Sequence, residues 1–418
     1  MSYEKIAEEL DTKFHQALSG VKVLELAWAL VGALTGKQLA DHGAIVVRIE
    51  SRKRLDFARL DKRNNSAEAN NVDDKPSFCY YNTSKYGLTL DLKHPQSREV
   101  IDRLISWADV VTENFTPGTV KKLNLDYEYM KSKKPDIIML SGSVYGQTGP
   151  LSRTWGIDGT GSALSGRADL TGWPDREPTI PSVVPYGDHV LPIFNALAIV
   201  AALDYKRRTG RGQYIDASMF DVCVQQIAPA LFDWEANRHL QSRSGNRIPG
   251  AAPHGVFPCL GEDRWCAIAV FTEEEWKGFC NVLGNSTWVN RPEFQSLSLR
   301  KQNEDELEKL IADWTMNYPA EEIMQKMQAS GVAAGVVQNA RDLVENDPQL
   351  RHRGFIKQIY HPVLGTFGHP TPAYKFSKTK AQLRSAPCLG EHTECVCTRL
   401  LGMSDEEFIN LFLNDVFQ

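Results

Sequence analysis

In the stretch Tyr186-Gly187-Asp188-His189-Val190 a single carboxylate stands at the head of a long apolar run. An ionised aspartate can attack an electrophilic carbonyl, and a helix N-terminus favours that ionised form. The same position suits a helix N-cap, and the two roles are compatible. A second set of candidate groups is cationic: Arg48, Arg52, Lys53 and Arg54, then Lys85 and Lys93, then Lys121 and Lys122. At the ends of successive strands such cations could meet phosphates, although surface charges more often form a solvated rim. His392, Cys395 and Cys397 lie close in sequence, but a helix brings only His392 and Cys395 to one face. No metal site is expected.

These groups need elements to position them. "VKVLELA", "VGALTGKQLADHG" and "AIVVRIE" read as strand, helix and near-continuous apolar strand across residues 21–50. The alternation continues through "YGLTLDLK", "PQSREVIDRLISWAD", "VVTENF", "DIIMLSGS" and "GQYIDASM". Between the last two, Asp188 to Arg208 reads as one helix stopped at Thr209-Gly210. Apolar strands alternating with helices predict an α/β protein with a Rossmann-like parallel sheet. Past residue 240 the loop "SRSGNRIPGAAPHG" changes the texture, and a smaller α+β segment comes after it. The expected organisation is a large domain built from residues 1–225 and 340–418, with a linker and small domain at 226–339. An amphipathic helix in "TECVCTRLLG" is expected to close the chain.

Composition narrows the function classes. The chain has 418 residues, 42% hydrophobic and 24% charged, with a net charge of −5. That balance disfavours nucleic acid as a partner, because phosphate binding needs a basic surface. The opening "MSYEKIAEELDTKF" is charged and helical in character, and the longest apolar stretch, Val190 to Leu203, is short for a bilayer. Neither export nor a membrane is expected. Eight scattered cysteines without a CxxC pair suit a reducing compartment, so the expected location is cytoplasmic. A nicotinamide enzyme is disfavoured because "WALVGALTG" after the first strand is not GxGxxG.

The segments "GVKVLELAWALVGALTGKQLADHGAIVVRIES", "NTSKYGLTLDLKHP", "ADVVTENFTPGTVKKLNLDYE", "PDIIMLSGSVYGQTGP", "YGDHV…AALDYKRRTGRGQYIDASM" and "LGEHTECV" together resemble the class III CoA-transferases. That family includes the formyl-CoA and carnitine CoA-transferases and the α-methylacyl-CoA racemases. The resemblance implies that coenzyme A or an acyl-CoA binds as substrate across the strand tops, with no tightly bound cofactor. It implies that Trp28, Ala29, Leu30 and Val31 line the pantetheine and acyl end. Arg48, Ser51 and Arg52 would meet the nucleotide phosphates, Leu90 and Lys93 the adenine, and Asn114, Phe115 and Lys122 the rest of the nucleotide. Asp188 matches the aspartate that becomes acylated. "SGSVYGQTG" is the candidate oxyanion loop, with Tyr145 as a further polar contact.

Where the formyl-CoA enzyme has arginine this chain has Ser51 and Lys122, so Arg52 is expected to take over a phosphate contact. Trp28 replaces a smaller polar residue and makes the acyl pocket more apolar. With "GWPDREP", it suggests an acyl group larger than formyl, a dicarboxylic or aryl-substituted acid, with succinyl-CoA a candidate donor. A racemase needs a second base, and this chain has Ile157 where the racemases carry histidine, next to Asp158. The resemblance also implies an interlocked dimer, either of identical chains or with a paralogous subunit; in a heteromer this chain would be one subunit, with limited activity alone.

Overall fold

Strands β1 (Lys22–Glu25), β2 (Ile45–Glu50), β3 (Tyr86–Thr89), β4 (Val110–Glu113), β5 (Ile138–Ser143) and β6 (Tyr214–Ser218) form one parallel sheet in the order β3-β2-β1-β4-β5-β6. The computed structural model describes residues 16–61, 71–180, 185–284 and 287–418. The N-terminal stretch expected to be helical lies outside the described residues. The strands are apolar because helices cover both faces of the sheet. Leu24, Val47, Val111 and Met139 pack with Val100, Ile101 and Leu104 of one helix, α2 (Ser97–Trp107). Their neighbours Val23, Val46, Val110 and Ile138 point the other way. They meet Leu39 and Ala40 of α1 (Ala29–Ala40) and Ile199 and Ala202 of α4 (Tyr186–Thr209).

The sheet belongs to the first of two compact units, Met1–Arg167, Ile180–Leu231 and Arg351–Gln418. The second comprises Ala168–Thr179 and Phe232–Leu350. Residues 168–179, placed with the large domain from sequence, therefore group with the second unit. That unit has an antiparallel sheet, β7 (His254–Pro258), β8 (Trp265–Ala269) and β9 (Ala333–Val336), packed on helices through Phe257, Ile268, Phe279, Leu307 and Ile323.

Helix α4 is 24 residues long and, by length and composition, apolar enough to cross a bilayer, longer than the Val190–Leu203 run suggests. In this fold it is a core-facing helix. Leu191, Asn195, Ile199 and Ala202 recur at helical spacing and are buried against the unit, where α4 packs on α1. Ile193, Phe194, Leu197 and Val200 form an exposed apolar stripe. The end of the chain differs from expectation. Thr393–Cys395 passes into a π-turn, Val396–Leu400, and the closing helix is instead α6 (Asp405–Leu413). Its signal was local: Ser404 and Glu407 form a capping box. His392 accepts the Gly87 N–H and stands edge-on to Tyr86, a structural role at the start of β3.

Charge is buried where the strands end. Glu25 and Arg48 are register partners on β1 and β2, and the Arg48 guanidinium donates to Glu25 Oε1 at 2.7 Å and to the Ala27 carbonyl at 2.9 Å. It also donates to Asp56, and Glu50 lies 3.7 Å from its Nε. Arg59 holds Glu50 through two bonds of 2.8 Å, and Lys85 reaches Glu25 at 2.9 Å. Gly36 of α1 leaves room for the Glu25 carboxylate, which a Cβ there would meet at 1.7 Å. Burial alone would lower the Arg48 pKa, but Glu50, Asp56 and Glu25 outweigh it and hold the guanidinium charged. Asp56 in turn accepts the Ala29 N–H at 2.9 Å and the Ala58 N–H at 2.8 Å.

Arg48 is fully buried in this network and points at carboxylates, so the phosphate role expected for it is corrected to a structural one. Replacing Arg48 by Ala leaves three acids without their shared cation. Denaturant unfolding should show a loss of about 3–5 kcal/mol, the typical cost of breaking a buried pair from one side. A loss below about 1 kcal/mol would place the network among weak surface pairs.

Candidate active site

The strand order reverses between β1 and β4, and loops leaving their carboxyl ends diverge there, the usual ligand crevice of an open α/β sheet. A cavity of about 260 Å³ lies at this point. Trp28, Ala29 and Val31 come from the β1 exit, Asn114 to Pro117 from the β4 exit, and Gly142 to Tyr145 from the end of β5. Ser152 and Thr154 to Asp158 form a further wall, and Asp188 with Leu191 of α4 and Met219 completes it. The β1 exit is clamped from two sides. Asn114 accepts the Trp28 N–H at 2.9 Å and donates to its carbonyl at 2.8 Å, while Asp56 takes the Ala29 N–H. Ala29 is held at φ +56°, a left-handed conformation that costs an L-residue about 1–2 kcal/mol. The clamps maintain it.

Asp188 is the third residue of α4 rather than its cap. Pro185 precedes the helix and has no capping side chain, so the N-cap role expected for Asp188 is corrected. Instead Asp158, at the start of α3 (Asp158–Leu164), accepts the Gly187 N–H at 2.5 Å and the Asp188 N–H at 3.3 Å. Gly187 permits this approach, since a Cβ there would lie 2.7 Å from Asp158 Oδ1 and 2.5 Å from Met219 Cγ. The Asp188 carboxylate is left facing the cavity. Burial, and then the neighbouring Asp158 charge, push Asp188 up to about 7.

Of the residues singled out from sequence, Trp28, Ala29, Val31, Asn114, Phe115, Tyr145 and Asp188 line this one cavity. Leu30 is half-buried beside it and does not line it. Phe115 is set by Glu113, whose Oε2 accepts its N–H at 2.8 Å; burial pushes that carboxyl up to about 7. Asn114 and Phe115 apart, the residues assigned to the nucleotide lie elsewhere. Arg52 is exposed and lines a separate cavity with Thr89, Glu391, Phe412 and Gln418. Ser51 donates to the Gln418 carbonyl at 3.0 Å, so its hydroxyl serves the C-terminus. Leu90 is wholly buried in the core, which corrects its expected place beside the adenine to a packing role. Lys93 and Lys122 are exposed, and Lys122 ends the short helix Thr119–Lys122.

Two lining aromatics, Phe57 and Trp155, gave no sequence signal. Phe57 stacks on Trp28 with ring centroids 5.0 Å apart, and Arg54 sits 4.5 Å over the same indole. Trp155 and Phe57 are exposed aromatics on the rim, and Ile157 lines the wall. A run of aromatic residues near a loop does not reveal which of them will face a ligand.

The family model described as CoA-transferase family III matches residues 18–393. The succinyl-CoA–D-citramalate CoA-transferase of Chloroflexus aurantiacus is 29% identical over 398 residues, covering 94% of this chain and 96% of that protein. The succinyl-CoA–L-malate CoA-transferase beta subunit of the same organism is 28% identical, covering 94% and 96%. The crystal structure of a CAIB/BAIF family protein from Brucella suis superposes with a TM-score of 0.84 at 30% identity, covering 92% of this chain and all of that one.

The Asp188 environment has a measurable consequence for stability. An acid whose folded pKa lies near 7, against an ordinary value of 3.8, binds more protons folded than unfolded between those pH values. Stability contributed by this site therefore falls as pH rises through that window and stays low above it. Asp188→Asn removes the penalty. Thermal melts should show the variant more stable than wild type by a few degrees at pH 8, with the gain gone at pH 4. Equal melting at pH 8 would mean that the carboxylate is well solvated.

Proposed function

The chain belongs to CoA-transferase family III, and we propose that it moves coenzyme A from succinyl-CoA to a second carboxylic acid with Asp188 as covalent nucleophile. The observation that carries this reading is the Asp188 carboxylate itself, facing a largely apolar cavity at the switch point with no cation or hydrogen bond holding it among the described residues. A carboxylate so placed is desolvated and poised to react.

In the proposed sequence an Asp188 oxygen attacks the thioester carbonyl and the C–S bond breaks, giving a mixed anhydride and CoA thiolate. The thiolate attacks the aspartyl carbonyl and releases the donor acid, leaving CoA on Asp188 as a thioester. The acceptor carboxylate reverses both steps. The oxyanions need donors. Ser143 at the end of β5 has a buried hydroxyl on the cavity wall without a partner among the described residues, and with the adjoining loop and Tyr145 it suits that task. The exposed cations Arg52, Lys93 and Lys122 suit the phosphates of the nucleotide end. Two relatives named for succinyl-CoA support that donor, and the Trp28, Phe57, Phe115 and Trp155 walls suit an acyl group larger than formyl. The exposed stripe of α4 supports a dimeric assembly, and the relative named as a beta subunit supports a paralogous partner as one form of it.

Asp188→Asn should lower transfer by several orders of magnitude while the protein still melts cooperatively. Hydroxylamine added to wild type during turnover should modify Asp188 in peptide mass maps; modification of another acid would relocate the nucleophile. A 2-methylacyl-CoA incubated in deuterated water should gain little deuterium at its α-carbon, because Ile157 supplies no base. Rapid exchange would favour a racemase.

A further inference from the structure

We infer that Asp158 is a positioning residue that aligns Asp188 for attack and, by like-charge repulsion, drives its acylation. The inference rests on the reading of Asp188 as nucleophile. Its geometric basis is the cap that Asp158 provides from 29 and 30 residues away, through the Gly187 and Asp188 N–H groups. A carboxylate bonded to the backbone of the nucleophile fixes where that residue starts its side chain. Asp158 is itself only 6% exposed, so its charge is poorly screened.

A cap does not require charge, since asparagine serves about as well as aspartate. The negative charge is therefore an additional feature, placed next to a second, partly buried carboxylate. Among the described residues no cation offsets the effect of Asp158 on Asp188. Other ionisable groups stand on the packed elements. They are the Cys223 thiol on α5 (Met219–Gln226), Tyr145 after β5, and Tyr186 and His189 on α4, with Arg167 stacked 4.0 Å over the Tyr186 ring. His189 Nδ1 is engaged with the Pro185 carbonyl at 2.8 Å. Burial and Asp158 together hold Asp188 up to about 7.

The chemistry turns that repulsion to use. When the Asp188 oxygen bonds to the acyl carbon, the C–S electron pair leaves on sulfur and the negative charge departs with the thiolate. Asp188 is neutral in the anhydride and stays neutral in the aspartyl-CoA thioester. Both covalent states escape the repulsion that the free carboxylate feels, so Asp158 raises the resting enzyme in energy relative to the two intermediates. The opposing effect is protonation of Asp188 at acid pH.

The two effects are separable in Asp158→Asn, which keeps an oxygen for the cap and loses the charge. For this variant the acid limb of the kcat/KM profile should move down by about one pH unit, and the plateau above about pH 8.5 should fall about tenfold. Less Asp188-CoA thioester should be trapped at equilibrium with succinyl-CoA. Asp158→Ser offers a neutral acceptor for the same comparison should the asparagine variant not fold. Asp158→Ala, without cap or charge, should in addition melt lower. An unmoved acid limb in a folded neutral variant, or an unchanged yield of thioester, would overturn the inference. Turnover by Asp188→Asn would instead remove the nucleophile on which it rests.

Discussion

Arg48 is wholly buried at the end of β2, with Glu25, Glu50 and Asp56 around its guanidinium. Removing a charge from water costs several kcal/mol, so such a cation persists only where acids and carbonyls surround it. Each of those acids has a second duty. Glu25 also holds Lys85, Glu50 also holds Arg59, and Asp56 fixes the backbone of Ala29. The network thus ties three adjacent strands to the loop that leaves β1. That loop, in a left-handed turn at Ala29, forms one wall of the candidate active-site cavity.

The opposite wall is organised by a different electrostatic device. Where the Arg48 cluster matches each charge with its opposite, Asp158 and Asp188 bring two like charges together. The first arrangement gives rigidity. The second would store unfavourable energy that the proposed change of covalent state releases. Both depend on burial: Arg48 and Glu25 are wholly buried and Asp158 nearly so, and the sheet is covered on its two faces by α1 and α4 and by α2. A water-filled crevice would weaken the cluster and the repulsion alike.

The cavity itself is apolar where the acyl group would lie, and its aromatic rim is assembled from segments far apart in sequence. Trp28 follows β1, Phe57 follows β2, Phe115 follows β4 and Trp155 precedes α3. Phe57 and Arg54 both contact the Trp28 indole, so the chemical character of the pocket mouth depends on a cluster rather than on one residue. Substitutions in that cluster are expected to couple, because its members share contacts.

Much of the frame was legible from local pattern. Apolar runs such as "IVVRIE" and "DIIMLSGS" could only be strands of a sheet buried on both faces, and Gly210, which closes α4 at φ +70°, was a readable stop. The placement of Asp188 at the head of a helix came out in the same way, because helix starts are encoded within a few residues. What the chain could not reveal by itself was which way each charge would point. Arg48 and Arg52 are four residues apart on the same strand end, and only packing made one a core cation and the other a surface one. Leu90 and Ser51 were likewise claimed by the core and by the C-terminus. The cap on α4 came from Asp158 rather than from Asp188, a long-range bond with no local signature. Backbone form is set by neighbours in sequence, whereas the partner of a buried charge is set by neighbours in space.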